Sequence, residues 1–91
     1  MAGLYSSNVS ATDRRKAFRE SLASEKITRL PGAFSPLVAR AIQEAGFEGV
    51  YVSGAVVSAD LALPDIGLTT LTEVAGRSRH TTFACPLACI I

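Results

Sequence analysis

A chain of 91 residues carrying nine Lys/Arg against eight Asp/Glu has a net charge of +1, which sets up no global field for nucleic acid. An apolar fraction of 48% and a mean hydropathy of +0.31 demand a core and exclude a disordered chain. With no Trp, that core is built mainly from Leu, Ile, Val and Ala, in a chain shorter than the usual domain of about 100–150 residues.

Charge is unevenly spread. Arg14, Arg15, Lys16 and Arg19 cluster near the start, whereas Ala41 to Gly76 holds five acidic residues and no basic one. The basic cluster reads first as a solvated helix face. No secretory signal opens the chain, no apolar run reaches the length of about 18 residues needed to cross a membrane, and Cys85 and Cys89 make no disulfide framework. The expectation is a cytoplasmic, reduced protein with no nucleic-acid and no membrane partner.

In chain order, 1–10 reads as a loose leader. Ser10-Ala-Thr-Asp13 is a capping box, and a helix follows over about 12–24 with a thin apolar stripe of Ala17, Phe18 and Leu22. Ile27-Thr28-Arg29-Leu30 is a short strand candidate closed by Pro31-Gly32. Ser35 caps the next helix and Pro36 fits its first turn. Leu37, Val38, Ala41, Ile42 and Ala45 recur at helical spacing, and Gly46 supplies a left-handed stop. Glu48 to Ser53 is a strand bounded by Gly54, with Val50 and Val52 facing one way and Tyr51 the other. Strand, helix, Gly and strand make a βαβ unit, whose strands run parallel.

Ala55–Ala62 fits either a short helix or a packed loop, and Leu63-Pro64-Asp65-Ile66-Gly67 is a breaker-rich loop. Thr70-Leu-Thr-Glu73 is a second capping box, leading a helix with Leu71, Val74, Ala75 and Ser78 on one side. The character shifts near His80, and Leu87–Ile91 is a third strand candidate. A strand covered by one helix leaves half its apolar side chains wet, so more layers are needed than these elements provide. The whole, 1–91, reads as one incomplete domain.

Ligands of parallel α/β folds bind beyond the carboxyl ends of the strands. Pro31-Gly32-Ala33 and Ser53-Gly54-Ala55 both stand there. The N–H groups of Gly54 and Ala55, with the Ser53 hydroxyl, suit a carboxylate or phosphate, although a strand-ending turn needs the same residues. Asp65 can hold a metal-bound water or orient a hydroxyl, or simply bond to its own turn. His80, Cys85 and Cys89 match no usual zinc spacing and read as coincidence, and neither strand is followed by a nucleotide-binding glycine motif.

The stretch LPGAFSPLVARAIQEAGFEGVYVSGAVVSADLALPDIGLTTLTEVAGRSR, Leu30 to Arg79, resembles the N-terminal part of the 2-methylisocitrate lyase family, within the isocitrate lyase and phosphoenolpyruvate mutase superfamily. Tyr51-Val-Ser-Gly-Ala55 followed by Leu63-Pro-Asp-Ile-Gly67 carries the resemblance. It implies the N-terminal portion of a (β/α)8 TIM barrel, a homotetramer and a Mg²⁺ ion. The implied reaction is cleavage of a small carboxylate, 2-methylisocitrate, to pyruvate and succinate in the 2-methylcitrate cycle of propionate catabolism. By the same resemblance, Ser53, Gly54 and Ala55 bind the pyruvate-like carboxylate, Tyr51 shapes the pocket, and Asp65 stands near the metal-bound water. Ala55 departs mildly from the Ser-Gly-Gly common in the family.

After Arg79 the resemblance stops. The family continues to a third strand with a D-x-D metal segment and later a Lys-Arg-Cys-Gly-His segment, but here no Asp or Glu follows Glu73. The expectation is a divergent tail over 80–91, of frameshifted or prematurely ended character. No catalytic residue is retained, Mg²⁺ is not bound tightly, and the chain by itself is inactive. Isocitrate lyase, oxaloacetate hydrolase and a phosphonate-forming mutase share these motifs. A non-enzymatic degenerate or interaction fragment is the reading of a different class.

Overall fold

The computed structural model describes residues 9–91, so most of the expected leader lies outside the described residues. Helix α1 spans Ala11–Ala23 and starts as expected, with the Ser10 hydroxyl accepting from the Asp13 N–H at 3.1 Å. It buries no residue, because its stripe of three apolar side chains is too thin to enter a core. One charged side chain fastens it instead. Arg14 donates to the carbonyls of Thr82, Cys85 and Leu87, the last at 3.1 Å.

The expected strand at 27–30 is not formed. Ile27 is 79% exposed, and Arg29 turns aside to pair with Glu48 at 3.0 Å while stacking over the Phe47 ring. Pairing occurs one step later, at the residues read as breakers. Tyr51 donates its N–H to the Pro31 carbonyl (2.9 Å) and accepts from the Ala33 N–H (2.8 Å), making a parallel bridge at Gly32. Pro31 is tolerated because only its carbonyl is used.

Helix α2, Pro36–Glu44, has the expected cap at Ser35 and the expected stop, Gly46, at φ +90°. Its buried face differs from expectation. Ala39 and Ile42 are buried with Val38 packed beside them, whereas Leu37 is 66% exposed and Ala41 and Ala45 face outward. The helix offers two stripes, and the sheet takes the one centred on Ala39.

Strand β1, Gly49–Tyr51, alternates as expected: Val50 and Val52 are buried against the helical layer while Tyr51 is 41% exposed on the opposite face. The ambiguous run after it is a helix, α3, Gly54–Asp60. Helix α4, Leu71–Ala84, begins at the Thr70 cap and runs past His80. Leu71, expected inside, is 85% exposed; Ser78, Thr81 and Ala84 are the buried residues. Of the expected side, Ser78 is buried and Val74 half-buried, while Leu71 and Ala75 in the first turns stay outside; the inward face carries polar side chains against α2. Strand β2, Ala88–Ile90, pairs in parallel with β1, Gly49 opposite Ala88 and Tyr51 opposite Ile90. The residues expected to form a divergent tail thus complete a helix and supply the strand anticipated at 87–91.

Helices α2 and α4 cover one face of this sheet, and Ala33, Ala39, Ile42, Val50 and Cys85 form the core between. In-register neighbours of a parallel pair point the same way, so Gly49, Tyr51, Ala88 and Ile90 share the other face. Gly49 is required there: a Cβ would stand 2.4 Å from Leu30 Cδ2 and 3.1 Å from the Ala88 carbonyl oxygen. The sheet is open, not closed into a barrel.

Candidate active site

The carboxyl end of β1 leads through Val52 and Ser53 directly into α3. Ser53 is the N-cap of that helix, in extended conformation, yet its hydroxyl makes no capping bond. At the N-caps of α1, α2 and α4 the hydroxyls of Ser10, Ser35 and Thr70 each accept from the N–H three residues on. Ser53 forgoes an interaction usually worth about 1 kcal/mol. Its hydroxyl, half-buried, is left for something else.

The first intrahelical bond of α3 runs from the Val57 N–H to the Ser53 carbonyl at 3.0 Å, so the N–H groups of Gly54 and Ala55 have no acceptor within the helix. Apart from its chain neighbours and its own helix backbone, no heavy atom lies within 4 Å of where a Gly54 Cβ would be. Three consecutive residues thus offer donors with no partner inside the helix, next to open space at Gly54. Tyr51 sits two residues back, on the face of the sheet that the helices leave uncovered.

Asp65 is exposed, in a turn closed by the Ile66 N–H bonding to the Pro64 carbonyl at 3.0 Å. Its carboxylate takes no part in that turn, and no hydrogen bond or ion pair joins it to Ser53, Gly54 or Ala55. Contiguity brings Tyr51 and Ser53–Ala55 together; Asp65 stands apart from them in its own loop. As one carboxylate it offers Mg²⁺ a hard oxygen donor. Among the described residues, however, no three His, Cys, Asp or Glu side chains group closely enough to hold a metal. These residues by themselves do not make a magnesium site. Cys85 is a buried free thiol, and Cys89 a half-buried one whose pKa is pushed up by burial first and by Cys85 second, against a lowering effect of Arg14.

Sequence patterns gave no warning of Arg77. Its Nη1 reaches the Phe34 carbonyl and the Asp60 carboxylate, each at 2.6 Å. One guanidinium therefore ties the loop after the Gly32 bridge to the far end of α3, bracing both strand-end loops. The only sequence sign was an Arg set into a sparsely charged helix. Neither the cleft between α1 and α4 nor that lined by Leu61, Glu73 and Arg77 includes Tyr51, Ser53, Gly54, Ala55 or Asp65.

No protein-family model matches the chain. The Corynebacterium glutamicum protein named "Probable 2-methylisocitrate lyase 2" is 79% identical over 80 residues, 88% of this chain and 26% of that protein. The 2-methylisocitrate lyase of Halalkalibacterium halodurans is 33% identical over all 91 residues and 30% of its own length, so that alignment runs through 80–91 as well. Among solved structures, a phosphonopyruvate hydrolase superposes with a TM-score of 0.81 at 28% identity, covering 84% of this chain and 27% of that one. A phosphonopyruvate hydrolase in complex with oxalate and Mg²⁺ gives 0.75 at 32% identity, over 81% and 27%. The chain spans about a quarter of the length of the curated relatives it matches. Its open α/β sheet with flanking helices follows the corresponding part of these superfamily folds, and the chain is homologous to members of the 2-methylisocitrate lyase and phosphoenolpyruvate mutase superfamily.

Proposed function

We propose that residues 30–79 form the substrate-carboxylate wall of a carbon–carbon lyase acting on 2-methylisocitrate, with Ser53, Gly54 and Ala55 as the oxyanion donors and Tyr51 shaping the pocket. The observation that carries this is the 79% identity to the Corynebacterium protein. An aligned run of 80 residues in a chain of 91 necessarily spans Tyr51 to Asp65, so the positions proposed for the site lie within the aligned stretch. The superposed phosphonopyruvate hydrolases are less similar in sequence, at 28–32% identity, which favours the lyase reading over a phosphonate chemistry.

In such a cleavage the substrate alkoxide collapses to the pyruvate carbonyl, and the electron pair of the broken bond passes to the succinate portion, which then takes a proton. The donors at Ser53–Ala55 hold the pyruvate carboxylate and keep it oriented as the bond breaks. Their backbone geometry is preset by the β1–α3 junction and costs nothing at the moment of reaction. Mg²⁺ supplies charge stabilisation in this chemistry, and Asp65 is the residue here that would face a metal-bound water. No Asp or Glu follows Glu73, and neither cysteine lies in a setting that makes it an acid for succinate.

The test is a chimera in which the matching quarter of the Corynebacterium protein is replaced by this chain's aligned residues. It is expected to release pyruvate from 2-methylisocitrate, and Ser53→Ala is expected to lower kcat/KM about tenfold or more. The 91-residue chain alone, with Mg²⁺, is expected to release no pyruvate above a metal-only blank. A folded chimera that prefers isocitrate or a phosphonate over 2-methylisocitrate would refute the assignment. Isocitrate is the sharper competitor, since one methyl group is worth only about 1–3 kcal/mol of discrimination.

A further inference from the structure

Helix α4 runs back along the sheet, so its last turns lie at the amino ends of the strands, opposite Ser53. There, between α4 and the start of α1, a cleft of about 600 Å³ opens, lined by Arg14, Arg79 and His80 with Val9 and Phe83, and by no Asp or Glu. We propose that this cleft binds a small organic phosphate, its dianion held between the basic side chains and its body laid against Phe83.

Three observations lead to this. First, the other arginines that pack onto the fold each meet a carboxylate: Arg29 meets Glu48, Arg40 meets Glu44, and Arg77 meets Asp60. Among the described residues Arg79 meets none, and neither does His80 beside it. Second, the Arg14 guanidinium is held in place by the carbonyls of Val9, Thr82, Cys85 and Leu87, so it contributes a fixed positive charge at the cleft wall, and Arg79 supplies the hydrogen-bond donors. Third, Phe83 follows Arg79 by four residues, one helical turn on, and is 58% exposed; Val9 is exposed beside it. An exposed aromatic ring one turn from an unpaired guanidinium presents a flat apolar wall next to an anion subsite. The cleft volume falls within the span of about 300–1,000 Å³ usual for small-molecule sites.

His80 is the single histidine of the chain, so its ring resonances report on the cleft without assignment ambiguity. The full 91-residue chain is titrated at constant ionic strength and pH with inorganic phosphate, phenyl phosphate and, as control, sodium chloride. A saturable shift of the His80 ring protons is expected with both phosphates and not with chloride, phenyl phosphate binding about tenfold more tightly. Arg79→Gln is expected to weaken both phosphates about fivefold or more, and Phe83→Ala to abolish the preference for the phenyl compound. Arg15→Gln, on the exposed side of α1, should change neither. A shift that grows linearly, that chloride reproduces, or that survives Arg79→Gln overturns the proposal. So does a spectrum without dispersed amides, since an unfolded chain has no cleft.

Discussion

Replacing Arg14 by Met keeps the aliphatic stem and removes the donors and the charge, and it should unfasten α1 from the rest of the molecule. The carbonyls Arg14 serves are those of Thr82, Cys85 and Leu87, at the end of α4 and in the link to β2. They belong to the group of carbonyls that a helix end leaves without partners, and α4 has no basic residue of its own in its last turn. The guanidinium from α1 fills that role, supplying both hydrogen bonds and a positive charge where the helix dipole is negative.

A hydrogen bond from a charged donor contributes roughly 1.5–3 kcal/mol, and a charge at a helix C-terminus about 0.3–1 kcal/mol. Bonds from one group do not add, because water refills part of the vacated space around the half-exposed Arg14, Thr82 and Leu87. The expected loss is about 2–4 kcal/mol, against a total of about 5–14 kcal/mol for a chain of this length. At a slope near 1.5 kcal/mol per molar, the urea midpoint followed by helical circular dichroism falls by about 2 M. Arg14→Lys retains the charge without the fork and should recover less than half. Arg15→Met is the control, within about 0.5 kcal/mol of the parent. Arg14→Met matching that control would show that α1 is held by something other than this guanidinium.

Gly49→Ala should cost about 1–3 kcal/mol by overpacking, as the new methyl meets Leu30 and the Ala88 carbonyl. Adding Leu30→Ala should return part of the loss in the same urea experiment, since the Leu30 contact is the far end of a flexible side chain. The Arg29 hydrogen bond holds the Glu48 carboxyl below its ordinary pKa of 4.5. A depressed folded-state pKa stabilises above the unfolded value and the gain is lost as pH falls through the folded one. Stability should therefore decline below about pH 4.5, and Glu48→Gln should flatten that decline in thermal melts between pH 7 and pH 3. The Cys89 pKa is raised, chiefly by burial, so the sign reverses: its contribution is present below the ordinary value of 9.0 and fades as pH rises past it. Alkylation of Cys89 at pH 8 should be slower than that of a free thiol, and denaturant should restore the rate.

Short-range chemistry was legible in the sequence. The caps at Ser10, Ser35 and Thr70, the stop at Gly46 and the alternation of Val50, Tyr51 and Val52 each depend on neighbours within four residues, and each appears in the structure. What failed was set by distant parts of the chain. Residues 27–30 have better strand propensity than Pro31-Gly32-Ala33, yet the partner, Tyr51, selects the latter. Periodicity marked α2 and α4 as two-faced without saying which face wins, so Leu37 and Leu71 were placed inside and stand outside. Arg14 and Arg77 bond to carbonyls more than forty residues away, a separation that no local pattern encodes. The Ser53-Gly54-Ala55 turn was visible as a motif. That its hydroxyl is withheld from capping was not, because Ser53 has the same identity and position as a Ser that caps.

That withheld hydroxyl and the Arg14 anchor lie at opposite ends of the same sheet, and the contrast is physical. At the amino ends of the strands the backbone is closed, beside the open cleft at Arg79 and Phe83: Arg14 satisfies the carbonyls around the end of α4, and Gly49 and Ala88 pack closely enough to exclude a methyl group. At the carboxyl ends the Ser53 hydroxyl makes no capping bond, and the first N–H groups of α3 have no acceptor within the helix. On the proposed function, donors without an intramolecular partner at this end are what the recognition of a carboxylate requires. The Arg77 tie sharpens the point: it fixes the two strand-end loops to each other through Phe34 and Asp60, yet it leaves the donors at Ser53–Ala55 free. Restoring a cap should therefore stabilise this chain: a Ser53→Asp carboxylate that accepts from the Val56 N–H would add about 0.5–1 kcal/mol in urea and, in the chimera, abolish pyruvate release by placing a negative charge where the substrate carboxylate belongs.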